Sequence, residues 1–453
     1  MPSLWFETAL LADGWASRVR LTVAGGIVTA IETEVPPAPD DARDQIAVPG
    51  LPNLHSHAFQ RAMAGLSEHR GDGDDDFWSW RALMYRFVER ITPPDLEAIA
   101  AQAQVEMLET GFTRVGEFHY LHHDRDGRPY DAPAEMAQAI AAAAAETGIG
   151  LTLLPVFYAQ GGFGGGPPAA SQRRFLNTID GFARLFEASA AAVATLSDGN
   201  LGAAPHSLRA VTPDGLDAVA SLARGRPIHI HIAEQTREVE DCLAWCGQRP
   251  VDWLLSHAKI DEGWCLVHAT HMTAAETRAL AASGAVAGLC PVTEANLGDG
   301  LFAAGAFIGA GGRFGVGTDS NVQIEAAQEL RLLEYGQRLS SRARNILASP
   351  ARRSTGARLF AGALGGGAQA SGQKLAGIVP GASADIVALD ARHPSLYGRS
   401  GDALIDGWLF AGTAGIVRRV WRRGECVVED GRHRRAETVA ARYRRTLDRL
   451  MTA

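Results

Sequence analysis

Along the middle of the chain, short continuous apolar runs alternate with longer stretches of helical periodicity. This is the pattern of βα units around a parallel sheet, whose strands are buried on both faces. The apolar runs end near Leu54, Gly116, Val156, Pro205, His231, His268, Leu289 and Thr318. One intervening helix is bracketed by Pro93-Pro94 at its first turn and Gly111 just past its end, the usual start and stop residues. Eight strands with helices between them, over roughly 300 residues, predict a (β/α)₈ TIM barrel with insertions. The two ends of the chain read differently. Leu21-Thr22-Val23 and Ile27 to Ile31 flank Gly25-Gly26 as a hairpin, and the loop Pro36 to Asp44 leads out of it. After Gly365-Gly366-Gly367, strand-like runs return at Ala384 to Leu389, Gly415 to Trp421 and Cys426 to Val428. The predicted architecture is therefore α/β: a barrel over 47–368 and a small β-sandwich domain built from 1–46 and 369–453, the last part including a terminal helix. The segment Gly161 to Gly166 before Pro167-Pro168 reads as a loop. It lacks both the Lys-Ser/Thr of a phosphate-binding loop and the strand–GxGxxG–helix context.

Composition narrows the function classes. The 453 residues leave room for one large domain and a satellite, and 46% hydrophobic with 21% charged residues is an ordinary globular balance. With 43 basic against 51 acidic side chains, the net charge of −8 offers no general footprint for nucleic acid or anionic lipid. Five cysteines without a CxxC pair suggest neither a disulfide framework nor a thiolate zinc site. The N-terminus lacks a basic leader region, and the alanine tract Ala141 to Ala145 is far shorter than the ~20 residues of a membrane span. A soluble, cytoplasmic protein is expected.

Candidate chemistry falls at the predicted strand ends, where barrel active sites lie. His55-Ser56-His57 closes the first strand, and residues i and i+2 of an extended chain project to one side, so both imidazoles can face one ion. His229-Ile230-His231 ends the fifth strand and Glu234 follows it. His268 ends the sixth, and Asp319, within Gly317-Thr318-Asp319-Ser320, ends the eighth. Each piece alone has a plain structural explanation: an HxH is commonly a packing pair, and an aspartate before serine can cap a helix. Their order and placement argue for a metal site, since imidazole and carboxylate are good zinc ligands.

These strings resemble the amidohydrolase superfamily, Pro49 to His57 matching its first-strand signature and Gly381 to Val387 its C-terminal β motif. The resemblance implies His55, His57, His231 and Asp319 as metal ligands, with Glu234, His268 and Asp319 as the catalytic residues. His229, two positions early for that spacing, is left a supporting role. The only lysines are Lys259 and Lys374, so none lies between His57 and His231. A binuclear centre bridged by a carboxylated lysine is thereby excluded. A carboxylate bridge stays open, but the HxxE spacing after the fifth strand resembles the mononuclear deaminase branch, which implies one divalent ion, Zn²⁺ in preference to Fe²⁺.

Near the same strand ends stand Gln60, Arg81, Tyr120, His206 and Arg209. Guanidinium forks recognise carboxylates, so two of them in one mouth suit an anionic small molecule with two carboxylates. Surface ion pairing would account for the two arginines equally well. Three longer strings, His55 to Leu66 with Trp78 to Arg81, Glu117 to His123, and Ala204 to Arg209, resemble the N-formimino-L-glutamate deiminases of histidine degradation. That resemblance implies hydrolysis of formiminoglutamate to formylglutamate and ammonia, substrate contacts by the five residues just named, and a homodimer. A ring deaminase acting on guanine or a related heterocycle shares the metal motif and is the alternative. A metal-binding barrel without turnover is the remote one. The histidines at 119, 122 and 123 are expected to form a polar loop at the barrel mouth, and the acidic run Asp72 to Asp76 a solvated loop.

Overall fold

The computed structural model describes residues 3–70 and 77–452, so the acidic run Asp72 to Asp76 lies outside the described residues. Four N-terminal strands, β1 (Ser3–Leu11), β2 (Gly14–Ala24), β3 (Ile27–Glu32) and β4 (Ala42–Pro49), precede the barrel. The barrel staves are β5 (Leu51–Ser56), β6 (Phe112–His119), β7 (Gly150–Phe157), the interrupted stave β8 (Asn200–Leu201) with β9 (Ala204–Pro205), β10 (Ile228–Ile232), β11 (Trp264–His268), β12 (Val286–Leu289) and β13 (Arg313–Val316). The chain then returns through β14 (Ile386–Leu389), β15 (Val417–Arg422), β16 (Glu425–Glu429) and β17 (Arg432–His433).

Barrel staves pair in parallel as two arcs, β5-β6-β7-β8 and β10-β11-β12-β13, with β9 on β7. Isolated parallel bridges close the ring: Ala203 to Ile228 and Ser207 to His231 on one side, Ser56 to Asp319 on the other. At the second seam His57 N donates to Asp319 O and Asp319 N to His55 O, both at 2.9 Å. Every residue of β6 and β7 is buried, which explains why these staves read as apolar runs rather than as alternation. The helix Pro93–Glu109 forms where proline and glycine bracket it, its first turn closed by Thr92 N donating to Asp95 at 2.8 Å.

Both chain ends share one eight-stranded sheet, ordered β17-β16-β15-β14-β4-β1-β2-β3. Its far edge curls back: Ile27 bridges Ser383, and Val28 N donates to Ala382 O at 2.9 Å. The resulting sandwich-like unit has its own core, in which Phe6 meets Trp421 edge-on at 5.7 Å. Gly365-Gly366-Gly367, which punctuate the sequence, lie inside the helix Thr355–Ala370. That helix packs on β13 and β5 across the floor of the barrel. A Cβ at Gly366 would stand 1.9 Å from Phe314 O, so close approach of helix to strand, not a chain break, is what glycine serves there. Among the described residues no helix is long and apolar enough to cross a membrane.

Candidate active site

The stave ends bring four side chains to one point. Donor atoms of His55, His57, His231 and Asp319, all buried, lie within 4.8 Å of one another. Asp319 Oδ1 is 3.4 Å from His55 Nε2 and 3.2 Å from His57 Nε2, and His231 Nε2 is 3.0 Å from His55 Nε2. The backbone is shaped to the purpose. Ala233, His268, Ala269, Asp319 and Asn321 all have positive φ without being glycine, a strain that accumulates where a fold over-determines a functional geometry. Gly317 allows the ends of β13 and β5 to touch, since a Cβ there would meet His55 main-chain atoms at 2.7 Å.

Two asparagines lock this seam. Asn53 Nδ2 donates to Thr318 Oγ1 at 2.7 Å, and Asn321 Nδ2 donates to His57 O and Ser56 Oγ, each at 3.1 Å. Neither was singled out in the sequence, because each bond joins residues more than two hundred positions apart and no local pattern records it.

The donor chemistry fits a cation. Nδ1–H of His57 donates to Phe118 O at 2.9 Å, which leaves Nε2 as the nitrogen that faces Asp319. Burial pushes His55 down to about 3 and, with the neighbouring imidazoles, holds His231 well below its ordinary value, so both are neutral. Burial opposes the charge of Asp319, but the His55 and His57 bonds outweigh it and keep the carboxyl far below its usual range. Three imidazole nitrogens and a carboxylate thus crowd one buried point. That arrangement is repulsive without a shared positive ion, and the N/O donor set suits a divalent metal.

Beside this cluster, His268 Nε2 lies 3.8 Å from Glu234 Oε1 and 3.9 Å from Asp319 Oδ2. Burial raises Glu234 above the ordinary carboxyl range against the pull of His268 and Arg209. Burial works against a charged His268, yet Glu234, the Glu294 bond and Asp319 raise it to about 10. The pair therefore keeps a proton across the neutral range. Glu238, unremarked in the sequence, holds the strained turn before them: its carboxylate accepts Ala233 N at 3.0 Å and Glu234 N at 3.3 Å.

A cavity opens above. Gln60, Arg81, Tyr120, His206 and Arg209 all line it, together with His57, His231, Glu234, His268 and Asp319; His55, fully buried, lies behind the wall. Arg81 comes from the helix Phe77–Val88 and donates to Tyr85 Oη at 2.6 Å and Tyr158 Oη at 3.1 Å. Gln172 steadies Tyr158 from behind at 2.6 Å. Among the described residues the carboxylate nearest Arg209 is Glu238, at 3.7 Å, beyond a normal hydrogen bond. Arg81 and Arg209 both stand over the Trp78 ring, at 5.4 and 6.0 Å. Gln60 Nε2 donates to Tyr120 Oη at 2.9 Å, and burial with the Arg209 charge keeps His206 neutral. Tyr85, Tyr158 and Gln172 carry no motif, and only the fold reveals them.

Two other predicted histidine sites resolve differently. His229 Nε2 donates to Ala370 O at 2.8 Å on the barrel floor, away from the cluster. His119 ends β6 and His122 and His123 lie in the loop after it, as expected at the barrel mouth, and all three are buried. His122 donates to Val156 O and His123 to Leu176 O, because the segment after β6 runs back through the packed wall.

Residues 46–427 match the Amidohydrolase family, and residues 3–45 match the N-terminal domain of formimidoylglutamate deiminase HutF. A formimidoylglutamate deiminase from Pseudomonas aeruginosa is 49% identical over 458 residues, covering all of both chains. The crystal structure of an amidohydrolase from Brucella melitensis is 54% identical with a TM-score of 0.97, again over the whole of both chains. A zinc-bound adenosine deaminase from Xanthomonas campestris, 21% identical over 100% of this chain and 98% of its own, shares the fold at a TM-score of 0.80. The chain belongs to the amidohydrolase family, in its formimidoylglutamate deiminase branch.

Proposed function

We propose that the protein hydrolyses N-formimino-L-glutamate to N-formyl-L-glutamate and ammonia, using one divalent ion held by His55, His57, His231 and Asp319. Such an ion supplies a nucleophile at neutral pH by lowering the pKa of water from 15.7 to about 7. Glu234, a buried carboxyl 3.8 Å from His268 Nε2, takes the water proton and delivers it to the imino nitrogen, which leaves as ammonia. His268 and Asp319 orient the attack on the C=N carbon. General acid–base groups of this kind contribute about 10²–10⁴-fold.

The observation that carries the substrate reading is the state of the two cavity guanidiniums. Arg81 is bonded to phenol hydroxyls, and Arg209 has no carboxylate within ordinary bonding distance among the described residues. Two positive groups facing a half-enclosed cavity call for two carboxylates, which glutamate has. Gln60, Tyr120 and His206 add neutral partners around the same groups. Zinc as the ion belongs to the same proposal, supported by the nitrogen and carboxylate donor set; a homodimeric assembly, a cytoplasmic location and a place in histidine degradation belong to it on the family resemblance alone.

An ammonia-release assay comparing formiminoglutamate with guanine, cytosine and adenosine tests it. Turnover of formiminoglutamate alone supports the proposal. Release from a ring substrate with none from formiminoglutamate overturns it in favour of the ring-deaminase alternative.

A further inference from the structure

His268 is held from both sides of its ring. Nε2 looks into the cavity toward Glu234 and Asp319, while Nδ1 lies 3.3 Å from Glu294 Oε1. Glu294 is only 4% exposed, belongs to the short helix Pro291–Leu297 and does not line the cavity. Its Oε1 also accepts Cys290 N at 2.9 Å, which anchors the carboxylate to the end of β12. The backbone gives His268 no ordinary strand-end conformation: its φ is 67° and that of Ala269 is 48°. Of the three carboxylates around the His268 ring among the described residues, Glu294 stands nearest.

We propose that Glu294 is a positioning residue for the deimination. An ionised carboxylate accepts but cannot donate, so it admits only the form of His268 that carries a proton on Nδ1. That fixes the ring plane and leaves Nε2 as the nitrogen that exchanges a proton in the cavity. The same logic makes a buried carboxylate behind a catalytic imidazole effective without its touching substrate. The inference rests on the reading of His268 as a proton-handling group.

The test is a double-mutant cycle in metal-replete protein, with E294Q, H268N and the double variant. Glutamine keeps the shape of Glu294 and an oxygen for Cys290 N, but it no longer compels the Nδ1–H form. E294Q alone should lower kcat by about 10–100-fold, the usual loss for an outer-shell partner, with KM within about twofold. In the H268N background the same change should move kcat by less than about twofold, because residues acting as one unit are not additive. Metal content and Tm report whether each variant is folded. Should E294Q not accumulate as folded protein, E294D, which keeps the charge and withdraws it by one methylene, is read in the same cycle with the same expectation. Wild-type kcat in the Glu294 variant, or an equal loss in both backgrounds, overturns the positioning role. Wild-type kcat in H268N overturns instead the reading of His268 on which it rests.

Discussion

A histidine that gives its Nδ1 proton to a main-chain carbonyl has only Nε2 left to offer, and His57 turns that nitrogen toward Asp319. The same accounting separates the ligand group from the proton-handling group: His268 is surrounded by carboxylates and holds its proton, whereas His55 and His231 cannot. Glu234→Gln should therefore keep the metal and lower kcat by about 10²–10⁴-fold, since an amide keeps the shape but accepts no proton. Metal analysis beside steady-state kinetics checks this; near-wild-type kcat with metal bound would remove Glu234 from the mechanism. Replacing Arg81 or Arg209 by Met should spare the metal and lower kcat/KM for formiminoglutamate about tenfold or more, the value of a charge-assisted bond of roughly 1.5–3 kcal/mol. Wild-type efficiency in both variants would contradict the dicarboxylate reading. Ligand and proton-handling candidates were legible in the sequence because they sit on motifs at strand ends. Their supports were not: Asn53, Glu238, Glu294 and Tyr158 act through bonds that only folding brings within reach.

At the scale of elements, the eight staves were readable because buried parallel strands leave uninterrupted apolar runs, and all eight predicted run ends fall within or beside an observed stave. The helix Thr355–Ala370 was not readable as such. Consecutive glycines are poor helix formers, and only the barrel floor beneath explains them. Gly362 lies against the Phe314 ring, and Gly366 against its carbonyl. Tertiary packing here overrides local propensity. Gly366→Ala should accordingly destabilise the protein by about 1–3 kcal/mol, the usual cost of overpacking, although alanine is the better helix former. Denaturant unfolding measures the change, and a gain in stability would show that helix and strand are not in such close contact. The histidines after β6 teach the converse lesson. A polar loop at the barrel mouth was legible, but not its burial, which main-chain carbonyls in the wall allow by satisfying the His122 and His123 rings.

At the scale of the whole molecule, barrel and chain-end sheet are tied by a charge cluster at the seam. Asp198 accepts from Arg114 at 2.9 Å and from Arg422 at 2.5 Å, and Arg422 also pairs with Asp385. Burial favours the neutral form of Asp198, but the two arginines outweigh it and hold its carboxyl below the ordinary 3.8. A depressed folded value means that the unfolded chain binds the proton more tightly. The stabilisation is then present above the ordinary carboxyl value and is lost as pH falls through the lower folded one. Asp198→Asn should destabilise the protein by about 3 kcal/mol near neutral pH, because it takes the carboxylate from the buried Arg114 and leaves Arg422 with Asp385 alone. The gap from the unsubstituted protein should narrow in acid; a gap independent of pH would contradict the assignment. Apolar runs at both chain ends made a shared β unit legible in the sequence. Its strand order and the arginine seam were not, since both depend on pairing across most of the chain.

The central claim is that this site places water on the C=N carbon of formiminoglutamate and expels ammonia. The most direct measurement is product analysis in oxygen-18 water, with metal-replete protein and formiminoglutamate as the only substrate. The account predicts ammonia and N-formylglutamate in equal amounts, with the heavy oxygen in the formyl group. Glutamate with formamide, or no turnover of formiminoglutamate by protein that holds its metal, would contradict it.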